Sequence, residues 1–395
     1  MAKNRKRKSK IRFIPQYYDY SLLVAILFLL AFGLVILYST SAYESRINFG
    51  DSSFYFDRQF LYTCIGLASM LLVARFDYHI YLRFAKVAYV VSLILCLLVR
   101  FSPLGVTLNG SRRWLGYGNF SFQPAELAKI ALIIFIAFLV VQYGSLVKQF
   151  EYTFVMLCYT LVLGLAVYWL TDNLSSGLLI IAIGMIMSFI SSPNYKWFAI
   201  GAGVVLLFII VYVFFLTTFG EITDTTSFRK IRIIVWRDPI SYSDSYGYQT
   251  LQGLYAIGSG GLFGKGLGNS IQKNGYIPEA QNDMIFSIVC EELGLFGAIC
   301  LIFLFGFLIW RLYLIASNAP DLFGSMIAIG IMAHVAVQVI FNIAVVTNVL
   351  PNTGVTLPFI SYGGTSVIIL LAEMGIGLNI SSKIRKKKEE TEEAL

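Results

Sequence analysis

The sequence predicts an all-α polytopic membrane protein with about ten transmembrane helices, and three observations lead to that fold class. Hydrophobic residues make up 57% of the 395-residue chain and charged residues only 13%, whereas soluble domains carry about 25% charged residues. The mean hydropathy is +0.74. A spanning helix needs about 20 mostly apolar residues, and the candidate spans are 20–39, 59–75, 80–99, 125–143, 152–170, 176–192, 196–219, 283–310, 322–346 and 361–381.

Both ends of the chain are charged tails beside membrane spans. A basic run precedes the first span, so a cleaved signal peptide is the alternative interpretation. Because no clear small-residue cleavage site follows, we expect an uncleaved first helix. Basic runs in this position favour contact with anionic lipid over nucleic acid, so we expect membrane lipids and no nucleic acid as partners. The predicted organisation is a tail, a transmembrane domain and a second tail, at 1–19, 20–382 and 383–395.

The short loops predict the orientation of the spans. An even number of spans places both basic tails on one side of the membrane, which the excess of Lys and Arg identifies as the cytoplasm. The same side then receives these cations: Arg75, Arg83, Lys86, Lys148, Lys196 and Arg311. We therefore expect a multi-pass protein of the cytoplasmic membrane with both termini inside.

Two outside loops depart from the charge rule. The loop at about 220–282, between spans seven and eight, is long enough to be weakly constrained by charge. It is too long to be structureless, and its segment 224–236 is predicted to form an amphipathic helix lying on the membrane. The loop at 100–124 is short, so its Arg112 and Arg113 need a reason. Guanidinium groups match phosphate oxygens, although a structural salt bridge is the alternative.

Asp283 lies where the long outside loop meets the eighth span. A carboxylate at the edge of the bilayer is costly unless it is paired or does chemistry. One interpretation is the N-cap of the eighth helix. Another is a general base that accepts a proton from an attacking hydroxyl, or a metal ligand. Capping and catalysis are compatible, so we predict Asp283 as the catalytic residue and as a candidate metal ligand.

Glu126 and Lys129 begin the fourth span, three residues apart, so they can pair on one helix face. The alternative is that Lys129 turns into a cavity and adds to a phosphate site. Deeper ionisable groups usually face the interior of a bundle, and we expect them to tie helices together. The glycine-rich segment 258–268 is predicted to be a flexible rim that lets backbone approach a substrate. The deeper groups are Glu291, Glu292, His334 and Glu373.

Several sequence motifs, in this order along the chain, resemble the SEDS family (shape, elongation, division and sporulation; FtsW/RodA/SpoVE). They cover essentially the whole chain, and the wording of the last one is more like the division branch than the elongation branch. The sporulation branch is close to the division branch. The motifs are NGSRRW at 109–114, QPAE at 123–126, GYQ at 247–249, AIGSGG at 256–261, YIPEAQND at 276–283 and PNTGVTLPFISYGGTS at 351–366.

The resemblance implies a peptidoglycan glycosyltransferase of the bacterial cytoplasmic membrane. Such an enzyme polymerises lipid II on the outer face by an inverting reaction and releases undecaprenyl pyrophosphate, here in septum synthesis. Asp283 matches the family's essential aspartate. The resemblance also implies a divalent cation (Mg²⁺ or Mn²⁺), a class B penicillin-binding protein and other divisome membrane proteins as partners. The expected substrate-binding residues are Arg112, Arg113, Glu126, Lys129, Gln249 and Lys265.

Other functions stay open at this point. A lipid II flippase would also use basic residues, but in a central cavity on an alternating-access path. A scaffold that recruits a transpeptidase is compatible with the polymerase, and an elongation or sporulation polymerase is the alternative within the family. One departure concerns the stretch after the fifth span, where the family often carries Pro-Asp. Here Asp172-Asn173 places an Asn where the acid is expected.

Overall fold

The computed structural model describes residues 18–108, 110–117, 120–193, 195–219 and 228–392. The predicted tail segments 1–17 and 393–395 and the first part of the predicted loop helix, 224–227, lie outside the described residues. Ten long helices form the bundle in the described part: α1 (Tyr20–Phe49), α2 (Phe54–Arg75), α3 (Ile80–Phe101), α4 (Pro124–Tyr143), α5 (Phe150–Leu170), α6 (Leu174–Ser191), α7 (Tyr195–Phe219), α10 (Ile285–Ser317), α11 (Leu322–Val346) and α12 (Gly364–Glu392).

These helices coincide one for one with the predicted spans, which confirms the fold class. Eight of them, all except α2 and α7, meet a joint criterion of length and hydropathy for crossing a membrane. Helix α2 carries Asp57 and Arg58 near its start and Arg75 at its end, and these charges lower its mean hydropathy. The chain is a multi-pass membrane protein.

The helix ends follow the local sequence. The side chain of Asp19 accepts a hydrogen bond from the Leu22 amide (3.0 Å) and caps α1, and Asp321 caps α11 in the same way through Gly324 (2.8 Å). Pro124 occupies the first turn of α4 as predicted, where its missing N–H would have no helical partner. These caps satisfy amides that the helix itself cannot pair.

The two ends of the described chain lie at the same end of the bundle. The Asp19 amide donates to Ser381 (3.0 Å), and the Asp19 carboxylate pairs with Arg311 (2.5 Å). Lys383 pairs with Asp77 in the turn between α2 and α3 (3.1 Å). The loops that carry the candidate site residues lie at the opposite end, because the helices that join the two sets run through the bundle.

The predicted loop at 100–124, between α3 and α4, contains a small sheet. Strands β1 (Gly105–Leu108), β2 (Ser111–Tyr117) and β3 (Phe120–Phe122) are antiparallel, in the order β1-β2-β3. Arg112 and Arg113 lie on the central strand. The sheet therefore places both arginines at the loop end of the bundle.

Within its described residues 228–284, the long loop between α7 and α10 contains two α-helices, α8 (Phe228–Arg237) and α9 (Tyr248–Ser259). Helix α8 is amphipathic, as predicted, but its apolar residues Ile231, Ile234 and Val235 are buried in the protein. The prediction that this segment lies on the membrane is therefore wrong for its apolar face. Packing against the bundle removes that face from both water and lipid.

Helix α10 is broken at Gly294, which has φ 67° and ψ −167°. The glycine-rich segment supplies the hydrogen bonds that the break removes. The Lys265 amide donates to Glu291 O and the Leu295 amide to Gly261 O, both at 2.9 Å. A Cβ on Gly264 would lie 2.2 Å from Glu292 O, so only glycine permits this approach. The glycines thus bring the loop backbone onto α10, and the approach of this backbone to a substrate stays a prediction.

Candidate active site

Asp283 lies immediately before α10, but it does not cap that helix. The N-cap position is Met284, which makes no side-chain capping bond. The capping interpretation is therefore wrong, because the helix begins one residue later than that role requires. The backbone of Asp283 is held instead by α11: Asn342 Nδ2 donates to Asp283 O (2.8 Å) and to Val355 O (2.7 Å). The carboxylate of Asp283 therefore has no capping role.

The surroundings of Asp283 adjust its acidity. Burial is the largest cause and raises the pKa of the carboxyl from 3.8 to about 6; the negative charge of Glu279 also raises it. The backbone amide of Asp283 and the positive charge of Arg232 lower the pKa. A carboxyl with such a pKa is largely ionised at neutral pH and remains a usable base. Perturbed titration of this kind is typical of functional sites.

The turn at residues 351–354, here called the Gly354 turn, lies against this carboxylate. Gly354 has φ 72°, and a Cβ built on it would be 3.6 Å from Asp283 Oδ2. Within the turn, Asn352 Nδ2 donates to Gln249 Oε1 (3.0 Å). Gln249 Nε2 in turn donates to Pro278 O (3.2 Å), five residues before Asp283. Gln249, a predicted substrate-binding residue, therefore braces both segments that form the site.

Glu126 and Lys129 form the predicted ion pair, at 3.0 Å, and both side chains are buried. Lys129 Nζ also lies 3.4 Å from Gln338 Oε1, and Gln338 Nε2 donates to Thr356 O (3.0 Å). Ser366 donates to the Glu126 carboxylate (3.0 Å). The pair is thus joined to the segment that follows the Gly354 turn.

A polar stripe on α11 connects these groups. His334, Gln338 and Asn342 are spaced by four residues, so they share one helix face. His334 Nδ1 lies 2.8 Å from the Glu373 carboxylate and its Nε2 lies 3.0 Å from Gln338 Oε1. His334 and Glu373 therefore join α11 to α12, as predicted. Through this stripe, the pair on α4 and the backbone of Asp283 are held by the same helix.

The other predicted cations are placed elsewhere. Arg112 Nη2 donates to Ser102 O (2.6 Å) at the base of the small sheet, and its Nε is buried with no hydrogen-bond partner among the described residues. Lys265 pairs with Glu291 (2.6 Å), and Lys273 pairs with Glu292 (2.7 Å). Glu291 and Glu292 thus tie the loop to α10. The substrate-binding roles of Arg112, Arg113 and Lys265 stay predictions.

The Asp172-Asn173 stretch has a structural explanation. The Asn173 side chain accepts from the Ser176 amide (3.0 Å) and caps α6. Asp172 has φ 47° and pairs with Arg100 at 3.5 Å. The residue at the position of the family's acid therefore serves as a helix cap in this chain.

The sequence prediction did not include two residues that act on Asp283, Arg232 and Asn342. Arg232, on α8, is the cation whose charge reaches Asp283, and nothing in the sequence separates it from the other basic residues of the long loop. Asn342 holds the Asp283 backbone. Asn342 follows Gln338 by four residues, as Gln338 follows His334. This spacing of polar residues in an otherwise apolar helix predicts a polar face.

Comparison with known proteins shows similarity over nearly the whole chain. A family model described as "FTSW_RODA_SPOVE: Cell cycle protein" matches residues 20–386. Stage V sporulation protein E of Bacillus subtilis is 36% identical over 92% of this chain and 96% of its own length. The probable peptidoglycan glycosyltransferase FtsW of the same organism is 36% identical over 94% of both chains, and that of Geobacter sp. is 36% identical over 93% of this chain and 98% of its own.

Solved structures agree with the fold. A chain from a structure described as "structural coordination of polymerization and crosslinking by a peptidoglycan synthase complex" matches with a TM-score of 0.76 and 26% identity, over 92% of this chain and 97% of that one. The rod shape determining protein RodA of Thermus thermophilus matches with a TM-score of 0.65 and 24% identity, over 92% and 96%. The chain belongs to the FtsW/RodA/SpoVE family of cell cycle proteins.

Proposed function

We propose that this protein is a peptidoglycan glycosyltransferase that polymerises lipid II into glycan strands. Its relatives at 36% identity include proteins named probable peptidoglycan glycosyltransferase FtsW. The observation that carries the proposal is the Asp283 carboxyl, placed at the lip of the bundle with a pKa raised to about 6. A base at that depth meets a headgroup while the lipid tail stays beside the apolar helices.

The proposed reaction is a direct displacement at the anomeric carbon of the donor sugar. The acceptor hydroxyl oxygen forms the new β-1,4 bond, and the bond to the α-linked pyrophosphate breaks with its electron pair leaving on undecaprenyl pyrophosphate. Asp283 accepts the hydroxyl proton. Inversion needs this one base together with stabilisation of charge on the leaving group. For the second task we propose Lys129, Arg112 and Arg113.

We further propose that a divalent cation, Mg²⁺ or Mn²⁺, takes part. Asp283 would hold it together with Glu279, whose charge already acts on Asp283, and the ion would neutralise charge on the pyrophosphate. The described residues contain no group of three or more His, Cys, Asp or Glu side chains suited to an ion. The two carboxylates of Asp283 and Glu279 fit Mg²⁺, which is commonly bound by one or two carboxylates plus substrate phosphates. We expect chelation by EDTA to stop polymer formation and added Mg²⁺ or Mn²⁺ to restore it; unchanged activity in EDTA would contradict the proposal.

The orientation and the partners belong to the same proposal. We place both termini in the cytoplasm and Asp283 on the outer side, supported by the basic tails and by the shared bundle end of Asp19 and Lys383. As the partner we propose a class B penicillin-binding protein among other divisome membrane proteins, supported by the matched peptidoglycan synthase complex. Septum synthesis is the proposed process; a sporulation role is the alternative, since one relative is a sporulation protein.

One experiment separates the polymerase from a flippase. The protein is purified together with its transpeptidase, supplied with labelled lipid II and a divalent cation, and the products are separated by gel. We expect a ladder of glycan strands. In parallel, movement of the labelled lipid between leaflets of sealed vesicles is measured. Movement without any polymer would overturn the proposed function and favour the flippase.

The pH dependence of polymerisation follows from the acidity of Asp283. Its pKa of about 6 means that protonation removes the base as the pH falls through that value. We expect kcat/KM for lipid II to be nearly constant above about pH 7 and to fall about tenfold per pH unit below about pH 6. Rates measured from about pH 5 to about pH 8 check this, and a flat profile across that range would contradict the assignment of Asp283 as base.

A further inference from the structure

The Gly354 turn lies in a segment that has no regular backbone pairing. Residues 347–363 connect α11 to α12 without a strand or helix, and Asn348 and Gly354 have positive φ values of 58° and 72°. Such a segment can keep one conformation only if its polar backbone groups find other partners. The position of Gly354 over Asp283 therefore depends on the side chains that bind this segment.

Side chains from three helices, α6, α8 and α11, supply these partners, and each donates to a backbone carbonyl of the segment. From within the bundle, Asn342 donates to Val355 O (2.7 Å) and Gln338 to Thr356 O (3.0 Å). Ser175, at the start of α6, donates to Thr353 O. These three contacts hold the segment from the side of the bundle.

Helix α8 holds the segment from the outer side at two points. Arg232 Nη1 donates to Asn352 O (3.0 Å), and Trp236 Nε1 donates to Asn348 O (3.0 Å). Asn348 Nδ2 returns a bond to Trp236 O (3.3 Å). Arg232 and Trp236 are one helical turn apart, so they share a face of α8. Their partners, Asn348 and Asn352, are also four residues apart. Both bonds can therefore form only in one alignment of the segment with α8.

Asn352 passes this attachment to the site. Its side-chain oxygen accepts from the Gly354 amide (3.1 Å), which fixes the shape of the turn, while its amide nitrogen donates to Gln249 (3.0 Å). Arg232 therefore binds the carbonyl of Asn352, and the side chain of Asn352 shapes the backbone beside Asp283 Oδ2. The buried apolar face of α8 anchors the helix that presents Arg232.

We propose that Arg232 is a positioning residue of the polymerase, which together with Trp236 holds the Gly354 turn against Asp283. The expected effect on the rate rests on the proposed function. The attachment of the Gly354 turn by Arg232 and Trp236 does not depend on it. If the turn shifts, the acceptor hydroxyl and the carboxylate lose their alignment, and a misplacement of about 1 Å lowers a rate by about a hundredfold. Loss of the attachment should therefore act on kcat more than on KM for lipid II.

The test compares four variants of the full-length protein in complex with its transpeptidase. Arg232→Met keeps the length of the side chain and removes the donors, whereas Arg232→Lys keeps a donor within reach of Asn352 O. Trp236→Phe keeps an aromatic ring of smaller size and removes Nε1–H. Lys230→Met is the matched control, since Lys230 is exposed on the same helix. We expect Arg232→Met to lower kcat about tenfold to a hundredfold with KM changed less than about threefold. Trp236→Phe should lower kcat several-fold, Arg232→Lys should recover most of the activity, and Lys230→Met should match the wild type.

Hydrogen exchange supplies a readout that does not need activity. We expect peptides covering 347–356 to exchange faster in Arg232→Met and Trp236→Phe than in the wild type or in Lys230→Met, without substrate. A wild-type kcat in Arg232→Met, or exchange of this segment unchanged in both variants, would overturn the proposal. If Asp283→Asn kept wild-type activity, the proposed base would be wrong, while the exchange result would still decide whether α8 holds the turn.

Discussion

Replacement of Asp283 by Asn is expected to lower polymerisation of lipid II by at least about a hundredfold, because general base catalysis contributes about 10²–10⁴ to a rate. Asn is nearly isosteric and keeps the backbone that Asn342 holds (2.8 Å to Asp283 O), but it cannot accept the hydroxyl proton. The measurement is glycan strand formation with the transpeptidase present. Polymerisation at the wild-type rate would remove Asp283 from the role of base.

The folding of this variant provides the control. Since the pKa of Asp283 in the folded protein, about 6, lies above its ordinary 3.8, the folded state binds the proton more tightly than the unfolded state does. Ionisation of Asp283 therefore lowers stability once the pH rises through about 6, and this penalty is absent below 3.8. We expect Asp283→Asn to unfold at the same temperature as the wild type or higher at neutral pH, so lost activity would not reflect lost structure.

The second large effect is expected from the buried pair of Glu126 and Lys129. Lys129→Met leaves the Glu126 carboxylate buried without its ammonium partner at 3.0 Å. Removal of one partner of a buried pair costs about 3–5 kcal/mol of folding free energy. We expect a clearly lower unfolding temperature in detergent and little protein in the membrane. An unfolding temperature equal to that of the wild type would mean that Glu126 is protonated or solvated.

A double variant separates folding from substrate binding at this pair. Glu126→Gln combined with Lys129→Met removes both charges, and most of the lost stability should return because no unpaired ion remains. We expect the polymerase activity to stay low, because Lys129 is proposed to stabilise charge on the leaving pyrophosphate. Recovery of both stability and activity would assign the pair to folding alone.

Much of the architecture could be predicted from composition and segment length. A helix in lipid must be about 20 residues long and apolar, and that constraint alone located all ten long helices. The small sheet was missed because two of its strands have only four and three residues, and because the central strand Ser111–Tyr117 mixes Arg with aromatic residues. The burial of α8 was missed because an amphipathic face has the same pattern whether it packs on lipid or on protein.

The candidate site was predictable only where its residues are close in sequence. The three-residue spacing of Glu126 and Lys129 predicted their contact, whereas the catalytic role of Asp283 stays a prediction. The contact of Arg232 with Asn352 joins residues 120 positions apart, and no local pattern encodes such a distance. Those long-range bonds decide which backbone lies over Asp283.

The interruption of α10 at Gly294 has a consequence for how the protein can be altered. Inside a bilayer, backbone groups freed by a helix break must find partners within the protein. Here the glycine-rich segment provides them: Lys265 N donates to Glu291 O, and Gly261 O accepts from Leu295 N (both 2.9 Å). The outer loop and the first turns of α10 therefore form one structural unit, and they can be exchanged with those of a relative only together. A chimera that exchanges the loop with a relative should keep its function only if the junction falls beyond residue 296, whereas a junction between loop and helix would separate partners that were matched to each other.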